Sequence, residues 1–239
     1  MGWTVWATGR DGDVPFEDDA AVRAALGRSS HVLSSVPPGH ELDPVLARYG
    51  DRLDHAWLGY LSSTGVYGDT RGAWVDESAP VGGGRRSARA ECEAQWLARG
   101  ARVLRLPGIY GPGRSALERL REGKAHRIDL PGQVFSRIHV DDLAAGVVAA
   151  LDAPPGACNL ADDMPAGQNA VIEEACRLLR IAPPPLQSLA EAGLSPQASA
   201  FFSENRRIAN GKAKRVLGWR PRFADYRAGL ADCLTRSSP

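Results

Sequence analysis

Short apolar runs rich in β-branched and aromatic residues recur along this chain, each stopped by glycine, proline or a polar turn and most followed by a stretch of helical spacing. Trp3 to Ala7 is the first, stopped by Gly9, and reads as a buried strand; His31 to Val36 is the second, stopped by Pro37 and Pro38. Trp57 to Leu61, Arg102 to Leu106 and Cys158 to Leu160 continue the series. Asp18 to Leu26, Asp43 to Tyr49, Arg86 to Arg99 and Leu143 to Leu151 lie between them with helical spacing, the last behind the N-cap candidates Asp141 and Asp142. Mostly apolar strands alternating with helices predict an α/β fold, a doubly wound parallel sheet covered on both faces. Beyond Pro165 the pattern loosens, and flanking helices over Asn169 to Leu179 and Phe223 to Leu234 predict a small second lobe. The expected division is 1–111 with 136–163 for the sheet domain, and 112–135 with 164–239 for the lobe.

Composition narrows the function classes. The 239 residues are 44% hydrophobic and 24% charged, and 29 Lys plus Arg stand against 28 Asp plus Glu for a net charge of +1. So even a balance gives no electrostatic reason to bind nucleic acid or an anionic membrane, and neither is an expected partner. The longest apolar stretch, Leu143 to Leu151, is too short to span a bilayer, and the N-terminus lacks a basic flank followed by an apolar run. A cytoplasmic protein is expected. Cys92, Cys158, Cys176 and Cys233 are too scattered for a zinc spacing or a disulfide framework, so no metal site is expected and the thiols read as buried. The preference for Arg over Lys, with Lys only at Lys124, Lys212 and Lys214, suggests a GC-rich bacterial genome.

In a doubly wound sheet, ligands sit beyond the carboxyl ends of the strands. Trp57 to Leu61 is followed by Ser62, Ser63 and Thr64, then by Tyr67 between small residues, a segment that reads as a turn or as a site. Arg102 to Leu106 is followed by Pro107, Gly108, Ile109, Tyr110, Gly111, Pro112, Gly113 and Arg114. Those glycines run in the wrong order for a dinucleotide fingerprint, and the proline between them removes an amide donor.

Taken together the motifs resemble those of the extended short-chain dehydrogenase/reductases, the NAD-dependent epimerases and dehydratases. They are Leu61-Ser-Ser-Thr-Gly-Val-Tyr-Gly68 with Asp76-Glu-Ser-Ala-Pro80, Leu104-Arg-Leu-Pro-Gly-Ile-Tyr-Gly-Pro-Gly113, Ile138-His-Val-Asp-Asp-Leu143 and Leu217-Gly-Trp-Arg-Pro221. The resemblance implies a Rossmann-like sheet holding NAD(P) under a lobe that closes over a nucleotide sugar or similar metabolite. It matches Ser63 to the family's catalytic Ser or Thr, and makes Tyr67 a candidate for a catalytic role. Arg10 matches the reader of the adenosine ribose, where a basic residue favours NADP over NAD. Ser35, Val36, Pro37, Ser62, Leu106 and Pro107 match the cofactor lining, and Thr64, Arg114 and Arg137 the substrate side. His139 matches a structural position. The resemblance also implies a homodimer built on the helices near Asp43 to Tyr49 and Arg86 to Arg99, with Ala90, Ala94 and Leu97 forming a small-residue stripe on the second.

Two departures bear on activity. The family's G-x-x-G-x-x-G after its first strand is absent, and Trp3 to Ala7 matches the second strand, so the phosphate loop would lie upstream of Met1. The sheet is therefore expected to lack its first strand, as a fragment or as a shortened relative, and to bind NADPH weakly or not at all. The family's catalytic Tyr and Lys are also missing: the matching segment, Arg85-Arg-Ser-Ala-Arg-Ala-Glu-Cys-Glu-Ala-Gln-Trp96, contains neither. Arginine does not deprotonate and cannot relay a proton in their place. An oxidoreductase with another acid or base, a non-catalytic dinucleotide-binding or regulatory protein, and an inactive fragment are the three readings this leaves.

Overall fold

The computed structural model describes residues 2–9, 11–39, 43–55, 57–84 and 87–237. In chain order it contains α1 (Asp19–Leu26), β1 (His31–Ser34), α2 (Pro44–Tyr49), β2 (Trp57–Ser63), β3 (Trp74–Val75), α3 (Ser87–Ala98), β4 (Arg102–Leu106) and β5 (Gly108–Tyr110). There follow α4 (Ala116–Arg121), β6 (Arg127–Ile128), β7 (Arg137–His139), α5 (Val140–Ala149), β8 (Gly156–Asn159), α6 (Gln168–Leu179) and β9 (Leu186–Gln187). The last elements are α7 (Pro196–Ser199), β10 (Arg207–Ile208), α8 (Gly211–Val216) and α9 (Tyr226–Arg236).

The central sheet is parallel throughout, in the order β1-β2-β4-β8. Trp57, Leu104 and Cys158 point to one face, where they pack with Ile138, Leu160 and Trp219 and with Leu143 and Val147 of α5. Leu58, Tyr60 and Val103 point to the other, against Cys92 and Trp96 of α3 and Val45 of α2. Burial on both faces is why these strands read as apolar runs rather than alternating ones. Leu117, Val171, Tyr226 and Leu230 form a separate cluster that joins α4, α6 and α9. All four cysteines are free and buried.

Local signals explain most helix starts. Asp18 accepts from the Ala21 amide, and Asp43, followed by Pro44, accepts from Val45 and Leu46. The start of α5 differs from expectation. Its N-cap is His139, whose Nδ1 accepts from the Asp141 amide at 3.2 Å, and Asp141 and Asp142 fall inside the first turn. Buried Asp142 turns instead to the amides of Arg222 and Phe223, at 2.7 and 3.0 Å, and so ties the C-terminal segment to α5.

The larger correction concerns Trp3 to Ala7, which does not form the buried strand its composition predicts. Trp3, Val5 and Trp6 are exposed, and the segment's nearest approach to strand pairing among the described residues is a bridge between Thr8 and Val14. Trp3 merely sets its ring edge-on to His31 of β1 at 4.8 Å. An apolar, β-branched segment becomes a strand only beside a neighbour that takes up its backbone hydrogen bonds, and among the described residues the segment has one such bond, from the Val14 amide to the Ala7 carbonyl.

Candidate functional site

In a parallel ladder, paired residues point to the same face, so register decides which side chains meet. Ser62 pairs with Arg105 and Arg105 with Asn159, which sets one polar row across β2, β4 and β8 at their carboxyl ends. Glu93 of α3 descends on this row. Its Oε1 accepts from Arg105 Nε and Nη2 at 3.0 and 2.5 Å, and its Oε2 accepts from the Ser62 hydroxyl at 2.7 Å. Arg105 Nη1 donates to the Tyr67 hydroxyl at 2.7 Å, and that hydroxyl donates to Asn159 Oδ1 at 2.8 Å. Asn159 then donates through Nδ2 to the Ala209 carbonyl and through its backbone to Glu77. Burial pulls the Arg105 guanidinium down, but Glu93 and Tyr67 together more than offset it, so the arginine is held firmly charged. Burial pushes the Tyr67 phenol up, and Arg105 draws it only part of the way back. The phenol oxygen is thus bonded on both sides, as acceptor from Arg105 and as donor to Asn159.

The row beside it holds Ser63 opposite Leu106. The Ser63 hydroxyl accepts from the Gly65 amide at 3.1 Å and caps the short 3-10 turn Thr64–Tyr67, while Thr64 is buried. Beyond β1, Ser35 and Pro37 are exposed, and Val36 packs against the cluster around Tyr60 and Trp96. Leu106 is buried and Pro107 half-buried at the start of the following loop. That loop turns back at Gly111 to Arg114, with Gly113 at φ +76. Ser34, Ser62, Ser63 and Leu106 thus share one edge of the sheet. Arg10 lies outside the described residues.

The two arginines expected on the substrate side are separated by burial. Arg114 is exposed, whereas Arg137 is buried and donates to the carbonyls of Phe135 and Ala166 and to Gln168 Oε1, at 2.8, 2.9 and 3.0 Å. Burial lowers the Arg137 guanidinium to about 10. Nearby Asp162 is pushed up to about 7 by its own burial, with one carboxylate oxygen unpartnered, and the buried Tyr110 hydroxyl is unpartnered too. His139, Asp141 and Asp232 converge within 4.8 Å, the one such grouping suited to a metal among the described residues. Arg236 already bridges the two carboxylates, and His139 Nδ1 accepts an amide proton, which leaves its proton on Nε2 facing Asp232. A metal there would have to displace both the arginine and that proton.

Glu93, Arg105 and Asn159 were not expected as site residues. The signal for Arg105 is a charge between apolar neighbours within the strand run Arg102–Leu106; Glu93 has no comparable local mark.

No known family profile matches the chain. A functionally unknown conserved protein from Silicibacter pomeroyi DSS shares 38% identity over 100% of this chain and 92% of its own, with a TM-score of 0.87. The dTDP-glucose 4,6-dehydratase of Bacillus anthracis, solved with NAD, superposes over 91% of this chain and 76% of its own with a TM-score of 0.69, at 14% identity. A 3-diazoavenalumate denitrifying reductase from Streptomyces is 32% identical over 140 residues, 54% of this chain and 45% of the reductase, so the match spans less than half of that relative. The chain belongs to the same family as the Silicibacter protein, and its fold is that of the extended short-chain dehydrogenase/reductases, the NAD-dependent epimerases and dehydratases.

Proposed function

We propose that the chain is an NAD(P)-dependent oxidoreductase of the epimerase/dehydratase type, acting on a nucleotide sugar or similar polar metabolite. The observation that carries this reading is the sheet register, which sets Ser34 beside Tyr60 and Ser63 beside Leu106 along one carboxyl edge. The buried, unpartnered Ser34 hydroxyl at that edge suits a polar group of a ligand. These residues fit the nicotinamide half of a dinucleotide; a glycine-rich cradle for the pyrophosphate is absent among the described residues. The bound cofactor would supply or accept hydride. Ser35, Val36, Pro37, Ser62, Leu106 and Pro107 would line it, and Arg10 would favour NADP. Ser63 and Thr64 would face the substrate, with Tyr67 holding their turn in place through Arg105 and Asn159. Exposed Arg114 would meet substrate phosphate, and Arg137 would shape the lobe of 112–135 and 164–239 that closes over it. That the Streptomyces relative is a reductase and the Bacillus neighbour acts on dTDP-glucose supports the class of chemistry.

Titration of the chain with NADPH, followed by tryptophan fluorescence, tests this reading. Weak binding is expected, with reduced nicotinamide mononucleotide competing and AMP not; competition by AMP alone, or no binding at all, overturns it. A second reading, a non-catalytic dinucleotide-binding protein, is favoured by the internal bonds of both the Ser63 and the Tyr67 hydroxyls. Binding without turnover of UDP-glucose or dTDP-glucose would select it. A homodimer through α2 and α3 is part of the proposal, on a different stripe from the one the sequence suggests. Ala90 is buried and Leu97 half-buried within the subunit, and Ala47, Ala94 and Ala98 are the exposed alanines of the two helices. Light scattering should show about twice 25.5 kDa, falling toward the monomer in Ala94→Arg.

A further inference from the structure

β1 ends at Ser34, paired with Tyr60, while β2 continues to Ser63, so Leu61 lies beyond the last register pair of the two strands. Arg89, in the first turn of α3, reaches this end of β2. Its Nη1 donates to the Leu61 carbonyl and to the Tyr60 hydroxyl, both at 3.2 Å. Its Nε–H is buried and meets no acceptor, and the Ser34 hydroxyl, in a residue only 4% exposed, is also unpartnered. Ser34 and Tyr60 are register partners and point to the same face, and Arg89 bonds the Tyr60 hydroxyl, so both orphaned groups belong to residues that adjoin Tyr60. Buried polar groups without partners are rare enough in folded proteins that each calls for a physical reason.

The surrounding charges do not supply the missing partner. Asp43 is occupied by the amides of Val45 and Leu46 and by the Trp96 indole, and Glu93 by Arg105 and Ser62. Arg89 forms no ion pair with a carboxylate among the described residues. We propose that Arg89 and Ser34 together form a receptor for an anionic oxygen, a carboxylate or phosphate group of the ligand, in a niche between the ends of β1 and β2. A guanidinium N–H and a serine O–H both donate to one such oxygen, and the fixed charge of arginine selects an anion over a neutral carbonyl. The niche lies on the edge assigned to the ligand above, and the inference rests on that assignment.

Thermal unfolding of the full chain, without cofactor, tests it at constant ionic strength in inorganic phosphate, in acetate and in chloride. Phosphate or acetate should raise the Tm beyond the chloride control, and whichever does so identifies the group. The increment should vanish in Arg89→Gln and in Ser34→Ala and persist in part in Arg89→Lys. No increment over chloride, or an increment kept by either Arg89→Gln or Ser34→Ala, overturns the proposal. Ser34→Ala removes only an unbonded hydroxyl, so it decides the matter even if Arg89→Gln does not fold. Because no dinucleotide is present, failure here and failure of the NADPH titration are separate results.

Discussion

At the carboxyl edge of the central sheet, Ser62, Glu93, Arg105, Tyr67 and Asn159 are buried together, and each of their polar side-chain atoms has a partner. Behind β5 and β7, Tyr110, Arg137 and Asp162 are also buried, yet a hydroxyl and a carboxylate oxygen are left over. Burial is similar in the two regions; satisfaction is not. In the first, strand register lines up donor against acceptor and one helix supplies the counter-ion. In the second, Arg137 gives its protons to two carbonyls and an amide oxygen, and Asp162 is left without an ion pair to it. The consequence shows in the ionisation: Arg105 is held up, Arg137 is lowered to about 10 and Asp162 is raised to about 7.

Breaking the satisfied row should have the largest effect. Glu93→Ala leaves Arg105 buried without its counter-ion and should destabilise the fold by about 3–5 kcal/mol in urea unfolding. Asp162→Asn should act in the opposite direction. An aspartate in the unfolded chain ionises near 3.8 and this one, when folded, near 7, so across that interval the unfolded state releases a proton the folded state keeps. Stability should therefore fall as pH rises from about 4 to 7. Asp162→Asn should flatten that slope, raising stability above pH 7 by on the order of 2–4 kcal/mol. Urea midpoints of the two proteins across the pH range check both the sign and the size. Tyr67→Phe removes a hydroxyl bonded to a charged group and to Asn159, and should cost about 1.5–3 kcal/mol. Tyr110→Phe makes the same chemical change at an unbonded hydroxyl and should be neutral or stabilising by up to about 1 kcal/mol. A Tyr110→Phe loss as large as that of Tyr67→Phe would erase the contrast between the two regions.

Much of the architecture was legible in the chain. The apolar runs at His31, Trp57, Arg102 and Cys158 became adjacent parallel strands because a run without alternation has to be buried on both faces. Asp18 and Asp43 became caps because a short acidic side chain before a helix meets free amides wherever it occurs. Asp142 did not, since amides of Arg222 and Phe223 held it more closely than its own helix could. At the candidate site, the run Ser62, Ser63, Thr64 pointed to the right strand end, but nothing local to it identified Glu93, 31 positions on, or Asn159, 92 positions beyond Tyr67.

The sequence by itself determined the strand and helix alternation, the order of the motifs and the loss of the usual Tyr and Lys, since each depends on residue type and spacing along the chain. Only the tertiary structure decided that Trp3 to Ala7 would lie exposed, that the Tyr67 phenol would be held between Arg105 and Asn159, and that Arg137 would face carbonyls while Asp162 kept a bare oxygen. Helical spacing and apolar runs act over a few residues. Whether a strand finds a neighbour, or a buried proton an acceptor, depends on which distant segment the fold brings within about 3 Å.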